Sequence, residues 1–497
     1  IFTGQIAASL GAGNAVIAKP AEPTSLIAHK AIELWKEANL PSDVLQLVLG
    51  TGAKQGNYLV SHSGINAVIF TGSTATAKRI DTALAANAAP DALLVAETGG
   101  LNAMIADASA LPEQVVRDVV ASSFQSAGQR CSALRMLYVQ SDMYPQIVEM
   151  LTGAMALLKV GNPIHLDTDV GPVIDAPACQ SLSSYIDQHR SNVIYQTPAS
   201  TDSGHFVTPT LIRVNGIEDL DFERFGPILH IAPYEANQLD HVIDSINERG
   251  YGLTFAIHSR IKGRTQTLSK QLKVGNCYIN RNQIGAIVGS QPFGGEGLSG
   301  TGPKAGGPSY LPNLLHPQSS DSDWQPDASD FIKTDEVVRS WDALRTTHQP
   351  SERHVELVCP GVTGEENTLY HAGRGYWLVI GDEASWQQAQ SAAKAGNPTL
   401  LVTTSEQPDT FDAALPITVL KGAINPESIA ALAALSGVSV SAHTQYQQLI
   451  RQALADREGA IVPMLTDLYD SVRHHKEQHI CEDVTASGGN AALLMSH

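Results

Sequence analysis

The chain lacks the features that mark membrane, metal and nucleic-acid proteins. Its 497 residues contain no apolar run long enough to cross a bilayer and no basic-then-apolar amino-terminal signal. Cysteine is scarce: five occur, at 131, 179, 277, 359 and 481, and the nearest two are 48 positions apart. That spacing leaves no CxxC metal or redox pair, and the odd number argues against a secreted disulfide framework. Reduced thiols, no metal site and a cytoplasmic location are therefore expected. Sustained basic blocks are missing as well. With 32 Lys and Arg against 50 Asp and Glu, the formal charge is -18, which repels a phosphate backbone and argues against nucleic-acid binding. An initiator methionine is also missing. The chain opens Ile1-Phe2-Thr3 and reads as a piece of a longer polypeptide.

What is present is a soluble α/β pattern. From Ile1 to about Leu315, helix-like stretches alternate with short apolar strands closed by Gly or Pro, as in "NAVIAKP", "AVIFTGS", "ALLVAETGG" and "RMLYVQS". Such alternation predicts a largely parallel sheet. "HPQSSDSDWQPDASD" (316–330) is polar and rich in Ser, Asp and Pro, and reads as the start of a linker. Beyond it, "GYWLVIGDE", "NPTLLVTTSE" and "LPITVLKG" look like strands separated by alanine-rich helices, a second α/β unit. The second unit faintly echoes the first. Ala-Gly-Asn at 12–14 recurs at 395–397, which sets Val402 where the first unit has Lys19. "TGGLNAMI" (98–105) likewise resembles "SGGNAALL" (487–494), which sets Ala486 where the first unit has Glu97.

Several segments can carry chemistry. In "NAVIAKPAEPTS" a strand delivers Lys19 and Glu22 to a loop at its carboxyl end, where they grip ribose hydroxyls or are solvated charges. "AVIFTGSTATAKRI" runs strand, Gly72-Ser73-Thr74 turn, helix: a seat for a pyrophosphate, or a plain capped turn. "LLVAETGGLN" puts Glu97 at a strand end before a glycine pair, as a partly desolvated general base or a satisfied loop acid. In "QSAGQRCSALR", Cys131 stands between Arg130 and Ser132. Cysteine is most often a small buried hydrophobe, yet a neighbouring guanidinium favours thiolate, and a thiolate adds to a carbonyl without a dedicated base. "DFERFGPILH" supplies Glu223 and Phe225, and residues 288–311 are rich enough in glycine to form a rigid backbone cradle.

In sequence order, "AKPAEPTS", "FTGST", "ETGG", "GQRCSA", "ERFGPI" and "QPFGGEGLSGTGPKAGGP" resemble the signature series of the aldehyde dehydrogenase superfamily. With "INRNQIGAIVG" they resemble the L-glutamate γ-semialdehyde dehydrogenase domain of the bifunctional proline utilization A family. "CPGVTGEENT" (359–368) and "TASGGNAALLM" (485–495) resemble the tail of its long members. The resemblance implies an α/β fold with a Rossmann-like cofactor domain truncated at its start (1–99) and a catalytic domain (100–315). A linker (316–350) and a degenerate, non-catalytic aldehyde-dehydrogenase-like domain (351–497) follow. It implies Cys131 as nucleophile and Glu97 as the base that activates water. Lys19, Glu22, Gly72, Ser73, Glu223 and Phe225 hold NAD, while Arg130, Ser132, Gly285, Ala286 and Phe293 hold the substrate. FAD and a proline dehydrogenase domain are expected on the rest of the same polypeptide, and a homo-oligomer is expected. The closing segment is expected to dock on the first unit, and the second unit to bind no nucleotide. The family's Asn-Phe-Pro segment, expected just before Ile1, is absent; losing its oxyanion donor costs about two to three decades in rate. A catalytically silent fragment and a dehydrogenase for another small acidic semialdehyde, such as succinate semialdehyde, remain the alternatives.

Overall fold

Short β-branched runs closed by Gly or Pro do form strands, and the amphipathic stretches between them form helices. The computed structural model describes residues 1–198, 204–315, 322–467 and 472–485. They fall into two compact units. Among the described residues, the first comprises those of 1–97, 301–356 and 370–477; the second comprises those of 98–300, 357–369 and 478–485.

In the first unit, Val16–Ala18 pairs in parallel with Leu45–Leu47, and Ala67–Gly72 neighbours Leu93–Thr98. Helix Thr74–Asn87 turns Ala77, Leu84 and Ala85 inward, and the side chain of Ser73 caps it by accepting from the Thr76 N–H. Residues 376–465 build a separate five-stranded sheet. Its order is Ile417–Lys421, Thr399–Thr403, Tyr376–Gly381, Leu435–Ser441, Met464–Leu465, and every pairing is parallel. Numbered along the chain, that is 3-2-1-4-5, a doubly wound sheet whose order reverses between its first and fourth strands. Ligands bind such sheets beyond the carboxyl ends of those two strands. Here the chain itself lies there. Ser322 Oγ donates to Asp382 Oδ2, which follows the first strand, and the His443 N–H, after the fourth, donates to the Trp324 carbonyl at 2.7 Å. Trp324 also donates its indole N–H to Thr404 Oγ1 at 3.1 Å and meets the Tyr446 ring edge-on.

That arrangement corrects the linker expected over 316–350. Residues Thr334–Thr347 form a helix, and Val337, Trp341 and Leu344 sit in the core of the five-stranded sheet. Their spacing of four and three is one buried helical stripe, which the polar stretch before it hid. Residues 316–321, and the closing segment expected to dock, lie outside the described residues.

The second unit is built on a large sheet. From one edge the strands run Val193–Gln196, Thr210–Arg213, Ile228–Tyr234, Met136–Gln140, Ala103–Ala106, Thr254–His258 and Asn276–Ile279. The first pair is antiparallel and the others are parallel. Beside Asn276–Ile279 lies a strand from the far end of the chain, with His479, Ile480, Cys481 and Glu482 in parallel register. The 351–497 boundary is corrected accordingly: residues 357–369 and 478–485 belong with the unit that carries Cys131, not with the tail sheet. A strand buried beside another must pair its backbone somewhere, and partners 200 residues apart leave no local trace.

One buried acid fixes the carboxyl end of this sheet. Asp107 accepts from Ser109 N (2.7 Å), Ser109 Oγ (2.6 Å) and Ser259 Oγ (2.5 Å), and pairs with Arg264 at 2.5 Å. Burial alone would raise its pKa; these donors outweigh burial and hold it below the ordinary carboxylate value. A depressed folded pKa adds stability that is complete above about pH 4 and is lost as pH falls through the folded value. In urea titrations the midpoint should therefore fall on acidification from pH 5 to pH 3. Asp107→Asn should cost about 1–3 kcal/mol at pH 7 and flatten that fall. A variant with the same acid sensitivity as the unmodified chain would contradict this account.

Candidate active site

In the first unit, Lys19 and Glu22 follow the strand Val16–Ala18 and both reach one turn. Lys19 Nζ donates to the carbonyls of Pro20 (2.6 Å) and Gly50 (3.2 Å), and the Gly52 N–H donates to Glu22 Oε1 at 2.6 Å. That bond is the main cause of a lowered Glu22 pKa. The turn Gly50–Gly56 was not singled out from sequence, although "GTGAKQG" carries three glycines in seven residues. Gly72 and Ser73 form the strand-to-helix turn at the start of Thr74–Asn87, a fourteen-residue helix whose first N–H groups suit a phosphate. Glu97 ends Leu93–Thr98 and is partly buried. Thr301 anchors that strand end by donating its N–H to the Ala96 carbonyl and accepting the Ala96 N–H, both at 3.0 Å. The nearby Tyr310 hydroxyl is pushed up to about 12 by burial and by the Glu97 charge.

The second unit shapes the Cys131 loop. Helix Pro112–Phe124 ends in an unusual turn in which Ser126 (φ 54°), Ala127 (φ 52°) and Gly128 (φ 64°) are all left-handed. Left-handed non-glycine residues cost of order 1–2 kcal/mol each and persist only where surroundings enforce them. Arg135, 1% exposed, braces the end of this turn. It donates to the carbonyls of Gly128 (2.8 Å), Gly226 (3.0 Å) and Arg130 (3.2 Å), and pairs with Glu223 at 2.9 Å. Cys131 itself is partly exposed. Its carbonyl accepts from the buried Asn102 amide at 2.6 Å, which also reaches the Ala133 carbonyl at 3.0 Å. Ser132 is buried, and its carbonyl accepts from Gln283 (3.2 Å) and Thr254 (3.3 Å). Arg130 is exposed and donates to Ser126 Oγ at 3.3 Å.

Glu223 is engaged on one oxygen by Arg135, and burial raises its pKa against the pull of that guanidinium. Its other oxygen passes over Gly99, where a Cβ would lie 1.7 Å away, so Gly99 leaves room for this carboxylate. Phe225 is exposed, with the Arg135 guanidinium 5.4 Å from its ring. Gly285 (φ 74°) and Ala286 lie on an open turn. Phe293 is half-buried between two bonds to Asn276, whose amide donates to the Pro292 carbonyl (2.9 Å) and accepts the Gly294 N–H (3.2 Å). Arg135, Asn102 and Asn276 were missed from sequence. The available signal was a polar residue at the mouth of an apolar strand, as in "LNAMI", "ALRMLYV" and "GNCYI". Among the described residues no group of three or more His, Cys, Asp and Glu is placed to hold a metal, and no helix is long and apolar enough to cross a membrane.

The first unit thus carries a strand-turn-helix with a capped start, and the second a partly exposed cysteine on a braced loop. Residues 1–319 match the aldehyde dehydrogenase family. The chain belongs to that family. It is 40% identical over 537 aligned positions to the bifunctional protein PutA of Salmonella typhimurium, covering 99% of this chain and 40% of that protein. It is 37% identical to the 1-pyrroline-5-carboxylate dehydrogenase of Geobacillus kaustophilus, covering 64% of this chain and 62% of that one. Among solved structures, the proline utilization A of Bradyrhizobium japonicum superposes with a TM-score of 0.62 at 50% identity, over 63% of this chain and 32% of that one. The NAD-bound 1-pyrroline-5-carboxylate dehydrogenase from Thermus gives 0.60 at 33%, over 63% and 62%. This aldehyde dehydrogenase chain thus spans about two fifths of the Salmonella relative's length.

Proposed function

We propose that this chain oxidises L-glutamate γ-semialdehyde, the open form of 1-pyrroline-5-carboxylate, to L-glutamate with NAD. The observation that carries the reading is Cys131 set between a cation and a hydroxyl on a braced loop, in a chain whose relatives include 1-pyrroline-5-carboxylate dehydrogenases. NAD fits the polar groups of the first unit: Ser73 and the helix start for its phosphates, Lys19 and Glu22 beside the glycine turn for a ribose; the family resemblance adds Glu223 and Phe225 as cofactor residues. When bound, it supplies the hydride acceptor. The Cys131 thiolate adds to the aldehyde carbon, giving a thiohemiacetal that becomes a thioester once hydride has left. Glu97 takes a proton from water as that water attacks the thioester, releasing glutamate and the thiol. Arg130, Ser132 and the backbone at Gly285 and Ala286 hold the α-carboxylate, and Phe293 walls the aliphatic stem.

Arg130→Met tests the substrate assignment. A lost charge-assisted hydrogen bond of about 1.5–3 kcal/mol raises KM for glutamate semialdehyde about 10- to 100-fold, with little change for an uncharged aldehyde of similar length. Equal losses on both aldehydes would overturn it.

The doubly wound tail sheet takes no dinucleotide in this reading. Its crevice is filled by Ser322 and Trp324, and Val402, the counterpart of Lys19, is a fully buried strand residue without a donor. Titration calorimetry should give one NAD+ per chain, and two would sink the idea. We assign the flavin-dependent proline dehydrogenase half, and homo-oligomer formation, to the longer polypeptide to which such a chain belongs.

A further inference from the structure

The turn that bears Gly285 and Ala286 has little holding it between its ends. Val288 is 91% exposed, Gly285 and Gly289 are both left-handed, and the turn's own bonds close onto Ile287. Its anchors are at its flanks. On the near side, Gln283 donates its backbone N–H to Ser122 Oγ (3.2 Å) and its amide to the Ser132 carbonyl. On the far side Gln291, 2% exposed, turns its amide oxygen back to the Ile287 N–H (3.3 Å) and donates its amide N–H to Glu365 Oε2 (3.1 Å). The other oxygen of Glu365 accepts from Arg281 Nη1 at 2.5 Å. Arg281 stands just before the turn and Gln291 ends it, so a single carboxylate grips both flanks. Cys481 closes the group, its Sγ 3.1 Å from Arg281 and 3.4 Å from Gln291. Burial pushes that thiol up to about 12 in spite of Arg281, so it stays neutral. Arg281 is further fixed over the Tyr278 ring at 5.4 Å. Glu365 and Cys481 lie beyond residues 1–319, the stretch that matches the family.

We propose that Glu365 is a positioning residue for recognition of an anionic aldehyde: by bridging Arg281 and Gln291 it sets the conformation in which the Gly285–Ala286 backbone meets the substrate's carboxylate. The proposal rests on the glutamate-semialdehyde reading above. Holding a turn by a charged bridge at its base leaves the backbone donors free for ligand, while a turn packed over its tip would cover them. A merely structural bridge would affect every substrate alike, whereas a positioning bridge affects those that use the turn.

The test uses the full chain and needs no turnover. Cys131 is alkylated by iodoacetamide, the adduct is quantified by mass spectrometry, and L-glutamate is titrated as protectant. In Glu365→Gln and Gln291→Met the glutamate concentration for half-protection should rise about tenfold, the equivalent of one misplaced ionic hydrogen bond. Alkylation without glutamate should stay within about twofold, and Cys481→Ser, which keeps a polar group in place, should behave like the unmodified chain. Should Glu365→Gln fail to fold, Gln291→Met decides, because it frees the far flank and leaves the Arg281–Glu365 pair intact. Unchanged protection in folded Glu365→Gln or Gln291→Met overturns the proposal. An unmodified chain that glutamate does not protect at all overturns the substrate reading, and this proposal with it.

Discussion

Cys131→Ala is expected to abolish NADH formation from glutamate semialdehyde and to leave NAD+ affinity within about twofold. In the proposed mechanism the sulfur forms the covalent bond to the aldehyde; of the other cysteines, Cys277, Cys359 and Cys481 are buried, and Cys179, on the helix Ala176–Gln188, donates to the Phe206 carbonyl. The cofactor's proposed contacts involve Lys19, Glu22, Ser73 and Glu223, none of which depends on the thiol. Removing a nucleophile that acts as one unit with its base typically costs about four to six decades, below the detection of a spectrophotometric assay. Pre-steady-state absorbance at the NADH band and equilibrium dialysis with NAD+ check the two halves separately. NADH formation within about tenfold of the unmodified chain would remove Cys131 from the mechanism.

Arg135→Met is expected to produce the largest loss of stability of any single change near the site. The guanidinium is buried, satisfies three backbone carbonyls and neutralises Glu223, whose side chain is 18% exposed. Removing one partner of a buried ion pair costs about 3–5 kcal/mol, since the remaining charge has neither water nor counter-ion. Gly128, the last of the three left-handed residues 126–128, then loses the donor on its carbonyl. Adding Glu223→Gln to Arg135→Met should restore part of the loss by removing the stranded charge, and a double-mutant cycle in urea measures the coupling. Strict additivity would mean that the pair contributes nothing beyond its separate packing.

These expectations differ in how far they could be read from the chain alone. Cys131, Glu97 and the Gly72–Ser73 turn announce themselves because their role is local: a strand end, a turn, a cap, each encoded within a dozen residues. Glu223 was legible as an acid before a turn, but not as the partner of Arg135, 88 positions away. The group of Arg281, Glu365 and Cys481 was illegible for the same reason, its members joining only where strands from distant segments lie side by side. The helix Thr334–Thr347 was lost because its apolar stripe follows a stretch whose composition reads as a linker, and composition weighs residues without their phase. The doubly wound order of the tail sheet was readable as class, strands alternating with helices, but not as topology.

The segment that seals the tail sheet changes what loss of binding means there. Trp324 and Ser322 are covalently attached to the domain they occupy, so they act as a tethered ligand whose effective concentration is of order millimolar whatever the solution contains. A dinucleotide could enter only by outcompeting a neighbour that never diffuses away. Placing a lysine at Val402 is therefore expected to confer no binding on its own, because the tethered segment would still occupy the crevice. Under the reading proposed above, a domain sealed in this way does not respond to the cell's nucleotide pool, and its free energy becomes a constant on which the remainder of the chain can be built.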